Sequence, residues 1–154
     1  MSHFQEKNAP KPNTIQKGLK KMKIYNEQTL IKYIKKPKNT FPYSVDGFDV
    51  PIKGFFSNKN IGNVDMVINR NRRKYFIEIK INKNFNIGDF WSSLKVLGYV
   101  AAEKIYHPYE NVIPCILIRK ELITNDIIAI LGKLKIVYIT VDLIGNNPKF
   151  ECYL

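Results

Sequence analysis

Apolar positions along the chain switch between helix-like and strand-like spacing several times. In "YNEQTLIKYIKK" Leu30, Ile31 and Ile34 share one helical face. Asn26 supplies an N-cap and Pro37 a stop, so the segment predicts a helix. "FPYSVDGFDVPIKGFFS" is aromatic and β-branched, cut by Gly and Pro, and predicts one or two strands. "NVDMVIN" and "KYFIEIKI" are two further strands separated by the polar "RNRR". "DFWSSLKVLGYVAAEKIY" places Phe90, Leu94, Leu97 and Ala101 at helical spacing, with Asp89 as its cap. "NVIPCILIRK" is an apolar strand, "TNDIIAILGKL" a short helix capped at Thr124 or Asn125, and "KIVYITVDL" a last strand. The predicted order is α-β-β-β-α-β-α-β, an α/β fold with a mixed sheet flanked by helices.

The second and third strands carry charge in their middles. With Arg70 to Arg73 as the turn, Asn69 faces Lys74, Ile68 faces Tyr75, Met66 faces Ile77 and Val64 faces Ile79. That face is wholly apolar and belongs on the core, and a one-residue slip would expose it. The other face pairs Val67 with Phe76, Asp65 with Glu78, and Asn63 with Lys80. Two carboxylates directly opposite one another are destabilising. A divalent cation between them would compensate, and Mg²⁺ is characteristically held by one or two carboxylates together with waters and substrate phosphate. Lys80 would point to the same place. The tripeptide Glu78-Ile79-Lys80 is not informative alone: with 7 Glu and 21 Lys among 154 residues, about one Glu-x-Lys arises by chance. Lys80 in an ordinary cross-strand ion pair on a wet face is the bland alternative, and the registered Asp65/Glu78 pair is what favours a site.

Composition narrows the partner. Lys and Arg number 25 against 13 Asp and Glu, for a net charge of +12, which suits a polyanion because each neutralised phosphate releases condensed counterions. Residues 1–23 carry Lys7, Lys11, Lys17, Lys20, Lys21 and Lys23 against Glu6 alone. They read as a flexible basic arm ahead of one domain spanning 24–154. There is no apolar run of membrane-spanning length and no signal-peptide core, so an intracellular, soluble protein without a membrane partner is expected. Cys115 and Cys152 read as free buried thiols, and His3 and His107 form no metal or triad pattern. Zinc hydrolases and most triad hydrolases are thereby removed.

Asp65, then Glu78-Ile79-Lys80 on the following strand, then a helix, resembles the PD-(D/E)xK (restriction-endonuclease-like) nuclease superfamily. The α-β-β-β-α-β order matches that fold over most of residues 24 to 143. "GNVDMVI" is similar to the Gly-x-x-Asp segment of RecB-type nucleases and Holliday-junction resolvases, with Val64 where the family places proline. The RecB-type branch continues with Gln and Tyr four residues apart on the next helix, where this chain has Lys95 and Tyr99. The resemblance implies a restriction-endonuclease-like core and metal-dependent hydrolysis of DNA, rather than RNA, phosphodiesters. In such a site Asp65, Glu78 and the backbone carbonyl of Ile79 would ligate Mg²⁺, with Mn²⁺ able to substitute. Lys80 would orient or help deprotonate the attacking water and stabilise charge on the phosphate, and Glu27 is the candidate for a glutamate added from the first helix. A glutamate in a helix's first turn also favours the dipole without any such role. Structure-selective action on junctions, flaps or ends fits the small size, with no extra domain expected to read sequence, and fold analogy implies a homodimer that sets two sites on a branched substrate.

Arg70, Arg72 and Arg73 in the turn are candidates for gripping phosphates, as are Lys20 and Lys21 in the arm and Lys83 and Lys95 along a groove. Each also suits an ordinary solvated surface. Tyr99 and Trp91 read as core residues rather than base-stacking ones. Two rival readings stay open: a catalytically inactive nucleic-acid-binding protein of the same fold, and a basic protein-interaction module.

Overall fold

The computed structural model describes residues 23–54, 59–145 and 147–154. The expected basic arm, including Lys20 and Lys21, lies outside them save for Lys23. The described chain forms strands β1 (Val45–Lys53), β2 (Asn60–Arg70), β3 (Arg73–Lys80), β4 (Val112–Arg119), β5 (Val137–Asp142) and β6 (Lys149–Tyr153). Helices are α1 (Glu27–Ile34), α2 (Ile87–Ser93), α3 (Lys95–Tyr106) and α4 (Asn125–Lys133), with a 3₁₀ turn at Lys120–Leu122. The strands make a single mixed sheet in sequence order. β1, β2 and β3 are antiparallel neighbours, β3, β4 and β5 run parallel, and β6 closes antiparallel on β5. The expected α/β architecture is the one observed. No helix among the described residues is long and apolar enough to cross a membrane.

Helices cover both faces. On one, Leu30, Tyr33 and Ile34 of α1 pack on Met66, Ile68, Tyr75, Ile77 and Ile79. α1 starts where expected: the Thr29 amide donates to Asn26 Oδ1 at 2.9 Å, and the Asn26 amide donates back to Thr29 Oγ1 at 3.1 Å, a reciprocal cap. The opposite face carries Val96, Tyr99 and Val100 of α3 on Val64, Val67 and Phe76, and Phe90 of α2 with Leu131 of α4 on Ile116 and Ile118.

The central hairpin keeps the predicted register from Arg70/Arg73 to Met66/Ile77. Its turn residues Asn71 and Arg72 have φ of 51° and 63°. That is the two-residue turn whose twist matches the strands; Asn suits its first position, and Gly is the usual choice at its second, where Arg72 stands.

Several expectations need correction. Val64 does not face Ile79 on the α1 side, because β2 leaves the ladder after Met66 and Val64 joins the α3 cluster. The single helix predicted behind Asp89 is two helices. The first is capped by Asn86, with Asp89 serving three residues later in the capping box. The break follows from Ser93, whose hydroxyl donates to the Phe90 carbonyl at 2.6 Å while the Leu94 amide turns to Trp91 at 3.1 Å. That break resets the helical phase, so α3 buries Val96, Tyr99, Val100 and Ala102 rather than Ala101. It also leaves Trp91 60% exposed on α2 instead of in the core. The last is β6, too short to stand out in sequence: Phe150 and Cys152 pack inward while Lys149 and Glu151 face out.

Gly62 is fixed by the helix above it. A Cβ at this position would fall on the Tyr99 hydroxyl, and its φ is +155°. Gly62→Ala is expected to cost about 2 kcal/mol from overlap and backbone strain. Adding Tyr99→Phe should return part of that loss in urea melts, and an unchanged midpoint in Gly62→Ala would exclude this packing constraint.

Candidate active site

β3 delivers Glu78 to the face beneath α3, next to Phe76, with its backbone paired to Ile116 of β4. Its side chain is 1% exposed, and neither Oε1 nor Oε2 has a hydrogen-bond partner among the described residues. An unpartnered buried carboxylate is costly because it has lost water without gaining donors. Burial, and then the nearby Asp65 charge, push Glu78 up to about 8, while Lys95 and Lys80 act in the opposite sense.

Asp65 does not stand in a simple cross-strand pair with Glu78. The ladder between β2 and β3 ends at Met66/Ile77, and beyond it Asp65 Oδ2 accepts the Ile79 amide at 2.8 Å. The carboxylate thus takes a donor that a continuing ladder would have given to backbone. The strands part at this point, while Asp65 stays within electrostatic reach of Glu78.

Two further groups arrive from helices. Lys95 begins α3, one residue after the break, and its Nζ lies 3.5 Å from Glu78 Oε2. At that spacing and an effective dielectric of about 20 the attraction is about 5 kcal/mol, comparable with the cost of burying the carboxylate. Burial of Lys95 works against its charge most strongly of any single influence, but Glu78, Tyr99 and Asp65 together outweigh it and leave the ammonium with a raised pKa. Glu27, in the first turn of α1, is half-buried, and burial together with the Asp65 carboxylate pushes it up to about 7. Lys80 and Lys95 oppose that rise, so both lysine charges reach Glu27 as well.

Of the residues singled out in the sequence, the fold therefore gathers Asp65, Glu78, Lys80, Glu27 and Lys95. Ile79 sits between the acidic pair, its side chain in the core and its amide on Asp65. Lys83 is exposed, three residues beyond Lys80. The hairpin arginines are not part of the cluster. Arg73 begins β3 five residues before Glu78, about 17 Å at strand rise, and Arg70 donates to the Tyr43 hydroxyl at 2.9 Å while lying over its ring. Sequence reasoning took Lys95 as a groove residue and missed its pairing with Glu78, although Lys95 and Tyr99 at helical spacing carried the signal. It also missed Arg119, whose Nε donates to the Ile81 carbonyl at 2.6 Å and fixes the chain leaving β3.

The raised carboxyls have a direct consequence for stability. Between the ordinary value of 4.5 and about 7 for Glu27 or about 8 for Glu78, the folded protein holds protons that the unfolded chain releases. Stability therefore falls as pH rises through this window. In EDTA the melting temperature should fall from pH 5 to pH 8 more steeply for the wild type than for Glu78→Gln, which removes the titration ending near 8. At the upper end the variant should melt about 5 °C higher. Parallel pH profiles for the two proteins would count against a buried, proton-holding Glu78.

The sequence matches no family model and no curated protein. Among solved structures the chain is similar to an XisH family protein from Nostoc punctiforme PCC 73102, with a TM-score of 0.57 and 12% identity over 83% of this chain and 98% of that one. It is also similar to an fdxN element excision controlling factor protein from Anabaena variabilis, with a TM-score of 0.54 and 13% identity over 73% and 88% of the two chains. At these identities the likeness is one of fold, and a mixed α/β sheet flanked by helices is what the three chains share.

Proposed function

We propose that the protein is a metal-dependent nuclease that hydrolyses DNA phosphodiester bonds at the Asp65/Glu78 centre. The observation that carries this reading is Glu78, 1% exposed and with neither oxygen hydrogen-bonded among the described residues, beside a second carboxylate and two lysine charges. The donor set is hard oxygen throughout, which fits Mg²⁺ or Mn²⁺ better than a soft metal. Asp65, Glu78 and the Ile79 carbonyl would hold the ion. Bound there, such an ion supplies Lewis-acid polarisation of a phosphoryl oxygen.

The remaining work falls to the chain's own groups. The Lys80 ammonium, a three-donor point charge, orients the attacking water and neutralises negative charge building on the phosphate. The Glu27 carboxylate, with a value of about 7, is suited to accept a hydrogen bond and then a proton from that water near neutral pH. The net charge of +12 draws the polyanion in. Lys83 lies beside the site, and the hairpin arginines, ~17 Å away, would meet phosphates about five base pairs along a duplex.

The test is incubation of the full chain with junction, flap and linear DNA in Mg²⁺, Mn²⁺ or EDTA. Cleavage is expected with either metal and not with EDTA, and Glu78→Ala or Lys80→Ala should slow it by at least about 100-fold. Salt-sensitive binding of DNA with no cleavage in any metal would replace this reading with an inactive nucleic-acid-binding protein. Absence of salt-sensitive binding would leave the basic protein-interaction module.

A further inference from the structure

The centre contains more positive charge than a metal site made only of carboxylates. Asp65, Lys80 and Lys95 each act on both Glu27 and Glu78. Glu27 and Glu78 hold protons near neutral pH; once an ion displaces them, three carboxylates against two ammonium groups would leave a single net negative charge, since three minus two is one. One divalent ion would turn this to a net charge of about +1, matching the one negative charge of a phosphodiester, while two ions would leave about +3. Lys95 also holds a defined place. Its Nζ is 3.5 Å from Glu78 Oε2, on the α3 side, and its side chain remains 46% exposed. A second cation approaching that oxygen from the open side would have to sit against an ammonium group.

We propose that Lys95 stands in for a second divalent ion, so that the centre works with one metal and uses the α3 ammonium as its other cation. This rests on the nuclease reading above and adds which residue sets the metal count. Paired centres clamp an in-line displacement with one cation on each side of the phosphate. Here the Lys95 head sits against Glu78 in the absence of substrate. Its flexible stem and solvent-facing side let it turn to a phosphate oxygen once an ion has taken Glu78. A lysine suits this role because its point charge and rotatable stem can change partners, which a planar guanidinium does less readily.

The experiment is a Mn²⁺ titration of the full chain without nucleic acid, with free Mn²⁺ read by electron paramagnetic resonance. Only ions whose binding Asp65→Asn abolishes are counted. The wild type should bind one such ion per chain. Lys95→Gln should bind two, with the first held about tenfold more tightly because an opposing charge has gone. Lys95→Arg should keep the count at one. Two ions in the wild type overturn the proposal without recourse to any Lys95 variant, so a poorly folding Lys95→Gln does not blunt the test. A Lys95→Gln protein with wild-type count and affinity also overturns it, while leaving the nuclease reading intact. If the wild type binds no ion that depends on Asp65, the metal-centre reading falls and the role of Lys95 falls with it.

Discussion

The hydrogen bond from the Ile79 amide to the Asp65 carboxylate is the constraint around which the rest of the site is arranged. Up to Met66/Ile77 the central hairpin is an ordinary antiparallel ladder. At Asp65 a side chain takes over a backbone donor at 2.8 Å, and β2 turns away. Three things follow from this one exchange. Val64 swings to the α3 face, Gly62 comes under the Tyr99 hydroxyl, and the end of β3 is free to present Glu78 and Lys80 without a paired neighbour on the β2 side. A backbone carbonyl in place of Asp65 would continue the sheet and close this opening.

The helix break at Ser93–Leu94 supplies the other half. Because α2 ends there, α3 begins at Lys95 with its own phase, and its first side chain projects over β3. A single helix running through would carry the phase of Phe90 and Leu94 onward and move Lys95 off Glu78. Backbone geometry on two elements therefore fixes one electrostatic arrangement, in which α1 adds Glu27 from the far layer.

Much of this was legible in the residues. The hairpin register could be read because Met66, Ile68, Tyr75 and Ile77 leave just one parity that hides the apolar set, and the structure keeps it. That parity also suggested the grouping of Asp65, Glu78 and Lys80, though the cross-strand Asp65/Glu78 pair it implied does not form. What escaped depends on interactions with no periodic signature. The departure of β2 from the ladder rests on one side chain capturing one amide, and the α2–α3 break on one serine bonding back to a carbonyl. Lys95 was visible four residues before Tyr99, but its orientation depends on where the helix starts. β6 contributes two inward residues, too few for an alternation to register.

A second acidic group on the same chain shows why Glu78 is the one to explain. Glu103, His107 and Glu110 bring their ligand atoms within 4.8 Å of one another. That group is already satisfied: Lys74 Nζ meets both Glu110 oxygens at 3.1 Å and Glu103 at 4.0 Å, and His107 lies 3.8 Å from Glu103. Partly exposed ion pairs of this kind contribute little to stability and need no ligand to account for them. Glu78 differs on each count. It is buried, neither oxygen is hydrogen-bonded among the described residues, and the Lys95 ammonium stands 3.5 Å from Oε2. The fold by itself would be better served by an apolar side chain at 78, as at Phe76 on the same face, since replacing a buried charge with a packed hydrophobe is commonly neutral or stabilising. A carboxyl group held at that expense, with Asp65 beside it and Lys80 and Lys95 acting on it, is what the proposed metal centre would account for.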